Sequence, residues 1–166
     1  MFSNAAFLSI MDKQQKKEYG CLMKEIEVSA AVITRKNNKN TIEIFCAKRH
    51  PDEKNPQSET AEKWEFPGGK LEPGEDGATA LVREIKEELS VPITVGKRVM
   101  TTVHEYRTFR LVMQVYFCSI TEGSIVLTEH SDSAWLTAAE LTKPDWAPAD
   151  RPVAQKIQTL LDAKNS

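Results

Sequence analysis

The chain has 166 residues, 40% hydrophobic and 28% charged, the size and mix expected of one soluble globular domain with an adequate core. A net charge of −2 excludes a global basic field for nucleic acid or a membrane surface, though local arginines could still hold a small phosphorylated ligand. No apolar run approaches the roughly 18 residues of a membrane span, and three scattered cysteines, Cys21, Cys46 and Cys118, favour a reducing, cytoplasmic setting over a disulfide framework.

The N-terminal AAFLSIM is short and lacks a basic flank and a clear cleavage site, which argues against a signal peptide. Residues 1–22 turn polar and lysine-rich and are expected to form an extension, with Met11 or Met23 as an alternative start, before a domain over 23–166. Ile26 to Thr34 is β-branched and apolar, and Thr41 to Lys48 alternates, so the two are expected to form a hairpin. A polar loop with two prolines, residues 50–63, is long enough to be functional or mobile. Trp64 to Gly69 is a short apolar element ending in Pro-Gly-Gly, and Pro73-Gly74 fits a type II turn.

Asp76 can cap a helix over about 77–89. Ala78, Leu81, Val82, Ile85 and Leu89 share one arc of it and are expected to face a core; Glu84, Glu87 and Glu88 share the neighbouring arc. Strands follow at about 94–105 and 109–120, joined by a turn at Tyr106–Thr108, with a further short strand expected at Ile125–Thr128. Ser133–Leu136 leads into a short helix at Ala138–Leu141 capped by Thr137. A loop from Pro144 to Pro152 precedes a closing helix at Val153–Ala163, with Val153, Ile157, Leu160 and Leu161 on one side. The irregular alternation suggests an α/β fold, a mixed β-sheet between helices.

Three carboxylates on one helix face repel one another unless a cation sits between them, and an all-oxygen site suits Mg²⁺ or Mn²⁺. Metals held this way bind phosphate oxygens and activate water. A glutamate-rich face is more often merely solvated, and Arg83 and Glu87 at i,i+4 form an ordinary surface pair. The Gly-Gly and Pro-Gly turns just before the helix favour the metal reading: glycines let backbone approach a ligand, and a carbonyl there can serve as an oxygen ligand.

Gly69, Glu75, Arg83, Glu84, Ile85, Glu87, Glu88 and Val91 stand in register with the Nudix box, which this 23-residue segment resembles. The departure is Ser90, where the box has the glycine that suits a left-handed helix end; serine there costs roughly 1 kcal/mol. The resemblance implies the Nudix α/β/α sandwich and a Mg²⁺- or Mn²⁺-dependent hydrolase of nucleoside diphosphate derivatives. It assigns Glu84, Glu87, Glu88 and the Gly68 carbonyl to metal, and Glu75 with Arg83 to support. The general base is Glu87, Glu88 or Glu129; Glu129 is either that base and an added ligand or an exposed loop acid. A non-catalytic Nudix-fold binding module is the opposing reading, but such modules commonly lose box glutamates and this chain keeps them.

Beyond the box, WEFPGGKLEPGE and WAPADRPVAQKI are similar to the MutT-like nucleoside triphosphate pyrophosphohydrolases over roughly 23–163. That resemblance implies a nucleoside triphosphate substrate; the charge balance and the lack of a long apolar run point to no nucleic-acid or membrane partner, and a monomer or homodimer is expected. It places Asp150 at the base edge, where an ionised Asp accepts but does not donate and so favours the cytosine amine, though guanine also satisfies it. The Ala-Asp-x-Pro form resembles members preferring CTP, dCTP and modified cytosines; sanitation of 8-oxo-dGTP or cleavage of another nucleoside diphosphate derivative is the alternative. Asp150 could instead cap the closing helix. Arg49 is a phosphate clamp or an exposed strand end. Glu65 and Phe66 line the nucleotide pocket, or Phe66 is core. Trp64 and Trp146 suit packing better than base stacking, and His50, His104 and His130 lack metal-ligand spacing and receive no role.

Overall fold

The computed structural model describes residues 23–55 and 58–163, so the expected extension over 1–22, with Cys21 and the alternative starts, lies outside it. In chain order the elements are β1 (Lys24–Lys36), β2 (Ile42–Lys48), β3 (Trp64–Glu65), β4 (Gly68–Lys70), α1 (Gly77–Leu89), β5 (Ile93–Glu105), β6 (Phe109–Ile120), β7 (Asp132–Thr137), a 3₁₀ turn (Ala138–Glu140) and α2 (Arg151–Asp162). No helix among them is long and apolar enough to cross a membrane.

The sheet is mixed, as expected, and β1 is its axis. One edge of β1 pairs parallel with β6 from Lys24↔Phe109 to Ile33↔Cys118. The other edge changes partner along its length: Val28 to Ala30 face β4, and Thr34 to Lys36 face β2 in the expected antiparallel pairing. Its apolar run is continuous because it is covered on both sides. Ala30 and Val32 join the core against α2, with Val153, Ile157 and Leu161, while Ala31 and Ile33 join the core against α1, with Leu81, Ile85 and Leu89.

Three expectations are corrected. The buried stripe of α1 is rotated toward the glutamates: Val82 is 42% exposed, while Glu88 is 8% exposed and lies in the stripe with Leu81 and Ile85. Ile125–Thr128 forms no strand. Its backbone caps α1 instead, with Val126 N–H donating to Leu89 O and Thr128 N–H to Glu88 O, each at 3.0 Å. The carbonyl of Glu88 needs such a donor because Pro92, four residues on, has no N–H. Ser133–Leu136, read as a lead into the short helix, belongs to strand β7, paired with β2 from Glu43↔Thr137 to Lys48↔Asp132.

Candidate active site

The box assembles around Arg83. Asp76 opens α1 as expected, accepting from Thr79 N–H at 2.8 Å. Two turns later, Arg83 reaches back to Glu75 through Nε (3.0 Å) and Nη2 (2.8 Å), a bidentate fork, and Glu75 also accepts from Glu72 N–H. These partners, led by Arg83, hold the Glu75 carboxyl down at about 2. Arg83 further donates to the Lys70 carbonyl and to Glu84 at 2.8 Å, and its Nη1 lies 3.6 Å from exposed Glu87. One guanidinium thus ties the loop, the end of β4 and the acidic helix together. α1 ends at Ser90, whose φ of 56° is the left-handed conformation for which the box has a glycine; its N–H donates to Lys86 O.

The glycine pair lets two carboxylates approach backbone. Gly68 has φ of 146°, and a Cβ there would stand 2.1 Å from the Ser29 carbonyl. A Cβ on Gly69 would stand 2.3 Å from the Glu84 carboxylate. Gly68 N–H donates to Glu88 at 3.0 Å. Burial pushes Glu88 up to about 7, with the Glu65 and Glu129 carboxylates adding to the shift and His130 and the Gly68 N–H opposing it.

The segment that caps α1 continues into the site. Thr128 Oγ1 donates to Glu87 O and Glu88 O, and Ser131 binds the end of β2 through Lys48 O and Arg49 O. Between these clasps stand exposed Glu129 and buried His130. The His130 Nε2 lies 2.9 Å from Glu65 Oε1, and Glu65 in turn receives Arg49 Nη1 at 3.2 and 3.0 Å. Arg49 is therefore not an isolated strand-end cation, and Glu65 is not a free pocket carboxylate. His130, whose spacing in the sequence points to no role, lines the site against Glu65. Its signal is a contact between residues 65 positions apart, which spacing does not reveal.

Two pockets meet at Arg49, Thr60 and Glu65. One, of about 270 Å³, is polar and includes Glu88, Glu129 and His130. The other, of about 340 Å³, runs along β1 past Gly68 and Gly69 and is lined by Phe66, Tyr106, Phe109, Leu111, Met113 and Asp150. Phe66 is both core and lining: it is 3% exposed and stacks on Trp146 at 4.9 Å. Trp146 is a packing anchor, its indole N–H donating to Leu141 O. Asp150 occupies the N-cap position of α2, but its side chain makes no capping bond there. It accepts instead from Phe66 N–H at 2.9 Å, and burial holds its carboxyl well above the usual range, with Glu65 adding to the shift.

A NUDIX domain match spans residues 24–157. This chain belongs to the Nudix family. It is 34% identical over 142 residues to the CTP pyrophosphohydrolase of Escherichia coli K12, covering 86% of this chain and 98% of that one. It is 29% identical over 138 residues to the 8-oxo-dGTP diphosphatase of the same bacterium, covering 83% and 100%. A solution structure of a MutT Nudix hydrolase from methicillin-resistant Staphylococcus aureus superposes with a TM-score of 0.63 at 40% identity, covering 84% and 99%. The chain is a Nudix hydrolase, a pyrophosphohydrolase acting on nucleotides.

Nudix hydrolases generally need a divalent metal such as Mg²⁺. Among the described residues, no three acidic, histidine or cysteine side chains already stand together as a ligand set. Arg83 draws Glu84 aside, Gly68 N–H holds Glu88, and Glu87 points outward. The donors nevertheless fit a hard cation, being carboxylate and backbone oxygens. Mutual repulsion among Glu88, Glu65 and Glu129 is what such an ion would relieve.

Proposed function

We propose that this Nudix hydrolase converts (deoxy)nucleoside triphosphates to the monophosphate and pyrophosphate, with cytosine nucleotides preferred. The observation that carries this reading is the junction of an apolar slot, which suits a nucleoside, with an acidic pocket, which suits metal and phosphates, at Arg49. In this reading Glu84, Glu87, Glu88 and the Gly68 carbonyl hold Mg²⁺ or Mn²⁺. When bound, the metal neutralises the triphosphate and acidifies water. Glu75 orients Arg83, and Arg83 orients Glu84. Arg49 binds phosphate oxygens through the part of its guanidinium that Glu65 leaves free. Water attacks phosphorus, its proton passes to Glu129, and the bond to the pyrophosphate oxygen breaks.

The base preference follows from Asp150. One of its oxygens takes Phe66 N–H and keeps a second lone pair. In the neutral form favoured by burial, the carboxyl offers one donor and one acceptor, which matches cytosine N3 and its amine. This corrects the expected ionised Asp150, because burial disfavours that form. An acceptor-only carboxylate would meet the cytosine amine but repel its N3 lone pair, whereas it matches both the N1–H and the amine of guanine and so supports the second reading, a guanine triphosphate. The named activity of the 34%-identical relative adds weight to cytosine. The buried free thiols Cys46 and Cys118 accord with a cytosolic setting.

Steady-state kinetics with Mg²⁺ on dCTP, 5-substituted dCTPs, dGTP, 8-oxo-dGTP and ADP-ribose tests this. The highest kcat/KM is expected on a cytosine triphosphate. Preference for ADP-ribose over every triphosphate would sink the assignment.

A further inference from the structure

We propose that His130 is a positioning residue which, through Glu65, fixes the Arg49 guanidinium at the junction of the two pockets. Its side chain is 3% exposed, and it approaches Glu65 at 2.9 Å. Glu65 is the shared acceptor: the oxygen that meets His130 also receives Arg49 Nη1, at 3.2 Å, and its second oxygen receives the same nitrogen at 3.0 Å. The Arg49 side chain remains 48% exposed and lines both pockets, which leaves guanidinium surface for a ligand. His130 is itself anchored on both sides. Thr128 holds the segment to the end of α1, and Ser131 holds it to the end of β2. Without an anchored partner, Glu65 is a carboxylate among the carboxylates of Glu88 and Glu129 and turns away, taking Arg49 with it. The segment that presents Glu129 thereby also sets the phosphate arginine, although no bond joins His130 to Arg49 directly.

This inference rests on the reading of Arg49 as a phosphate contact. The test compares H130L and H130Q, side chains of similar volume of which one keeps a donor that reaches Glu65. H130L is expected to raise KM for the triphosphate by about 10-fold, the scale seen when a ligand's supporting partner is lost, with kcat changed less than about 3-fold. H130Q should recover most of that loss. In an R49A background, H130L should add less than about 2-fold, because contacts within one network do not add. Equal KM values for H130L and H130Q, or an undiminished H130L effect in R49A, overturn the proposal in favour of simple cavity filling. Should H130L not fold, H130N replaces it. It carries the amide of H130Q one methylene too short for Glu65, and equality of those two is then the overturning result. If the wild type hydrolyses no triphosphate, the functional reading fails separately. The same variants, run on whichever nucleoside diphosphate derivative is cleaved, still decide the role of His130.

Discussion

In the proposed reading, Asp150 couples base choice to its own proton. Because burial favours its neutral form, the ratio of kcat/KM for dCTP to that for dGTP should be highest at low pH and fall as pH rises and Asp150 ionises. The ratio cancels the titration of the triphosphate and of the metal site, which both substrates share. Asp150→Asn keeps a donor and an acceptor at all pH values, so its ratio should be flat. A variant ratio that equals the wild-type ratio at every pH removes Asp150 as the base reader. Glu75 has the opposite linkage. Its carboxyl is held at about 2 in the fold, chiefly by Arg83, against about 4.3 unfolded. A depressed carboxyl stabilises fully above its unfolded value and loses that stabilisation as pH falls toward its folded value. Thermal unfolding of Glu75→Gln should therefore show a smaller drop in Tm between about pH 6 and 3 than the wild type; equal drops would count against the Arg83 fork.

α1 shows what a sequence conveys about an element and what it leaves out. Its cap at Asp76, its length and its stop at Ser90 are local facts, set by side-chain chemistry within a few residues, and all were legible. Ser90→Gly should raise stability by about 1 kcal/mol, since Ser90 sits in the left-handed region that disfavours a side chain. That is about 2–4 °C in Tm for a chain of this size; an unchanged Tm would show the conformation to be unstrained. The rotation of α1 about its own axis was not legible, because it depends on which neighbours cover it. Val82 and Glu88 both border the apolar arc, and the contact of Glu88 with Gly68 N–H brings the glutamate side inward. Glu87 remains 57% exposed and bonded only loosely. Glu87→Gln should thus leave Tm within about 1 °C in the absence of metal while cutting Mg²⁺-dependent turnover on the order of 100-fold. Unchanged turnover would remove Glu87 from the metal site. The course of the residues around Val126 is hidden from the sequence for the same reason as α1's rotation. A short β-branched run offers free N–H groups to any acceptor, and here the acceptors are helix-end carbonyls, not a strand.

At the scale of the whole molecule, one sheet separates two cores, and the cleft draws on both. The acidic pocket depends on α1, whose Leu81 and Ile85 are fully buried against Ala31 and Ile33. The apolar slot belongs to the other side, where Phe66, Tyr106 and Met113 pack in one cluster with Val153 and Ile157 of α2, next to Asp150 at its start. A substrate lying across the junction would have its phosphates registered by one core and its base by the other. Leu81→Ala and Ile157→Ala should each cost about 2–5 kcal/mol by opening a cavity, readable by urea unfolding. Their kinetic effects should differ in kind. Loosening α1 displaces Glu84 and Glu88 for every substrate, so Leu81→Ala should lower kcat on dCTP and dGTP by the same factor and leave their ratio unchanged. Loosening α2 displaces Asp150 relative to Phe66, so Ile157→Ala should narrow the ratio while costing less in kcat on the poorer substrate. Equal changes of the ratio in both variants would mean that the two cores act as one unit, and that base reading is not localised on the α2 side.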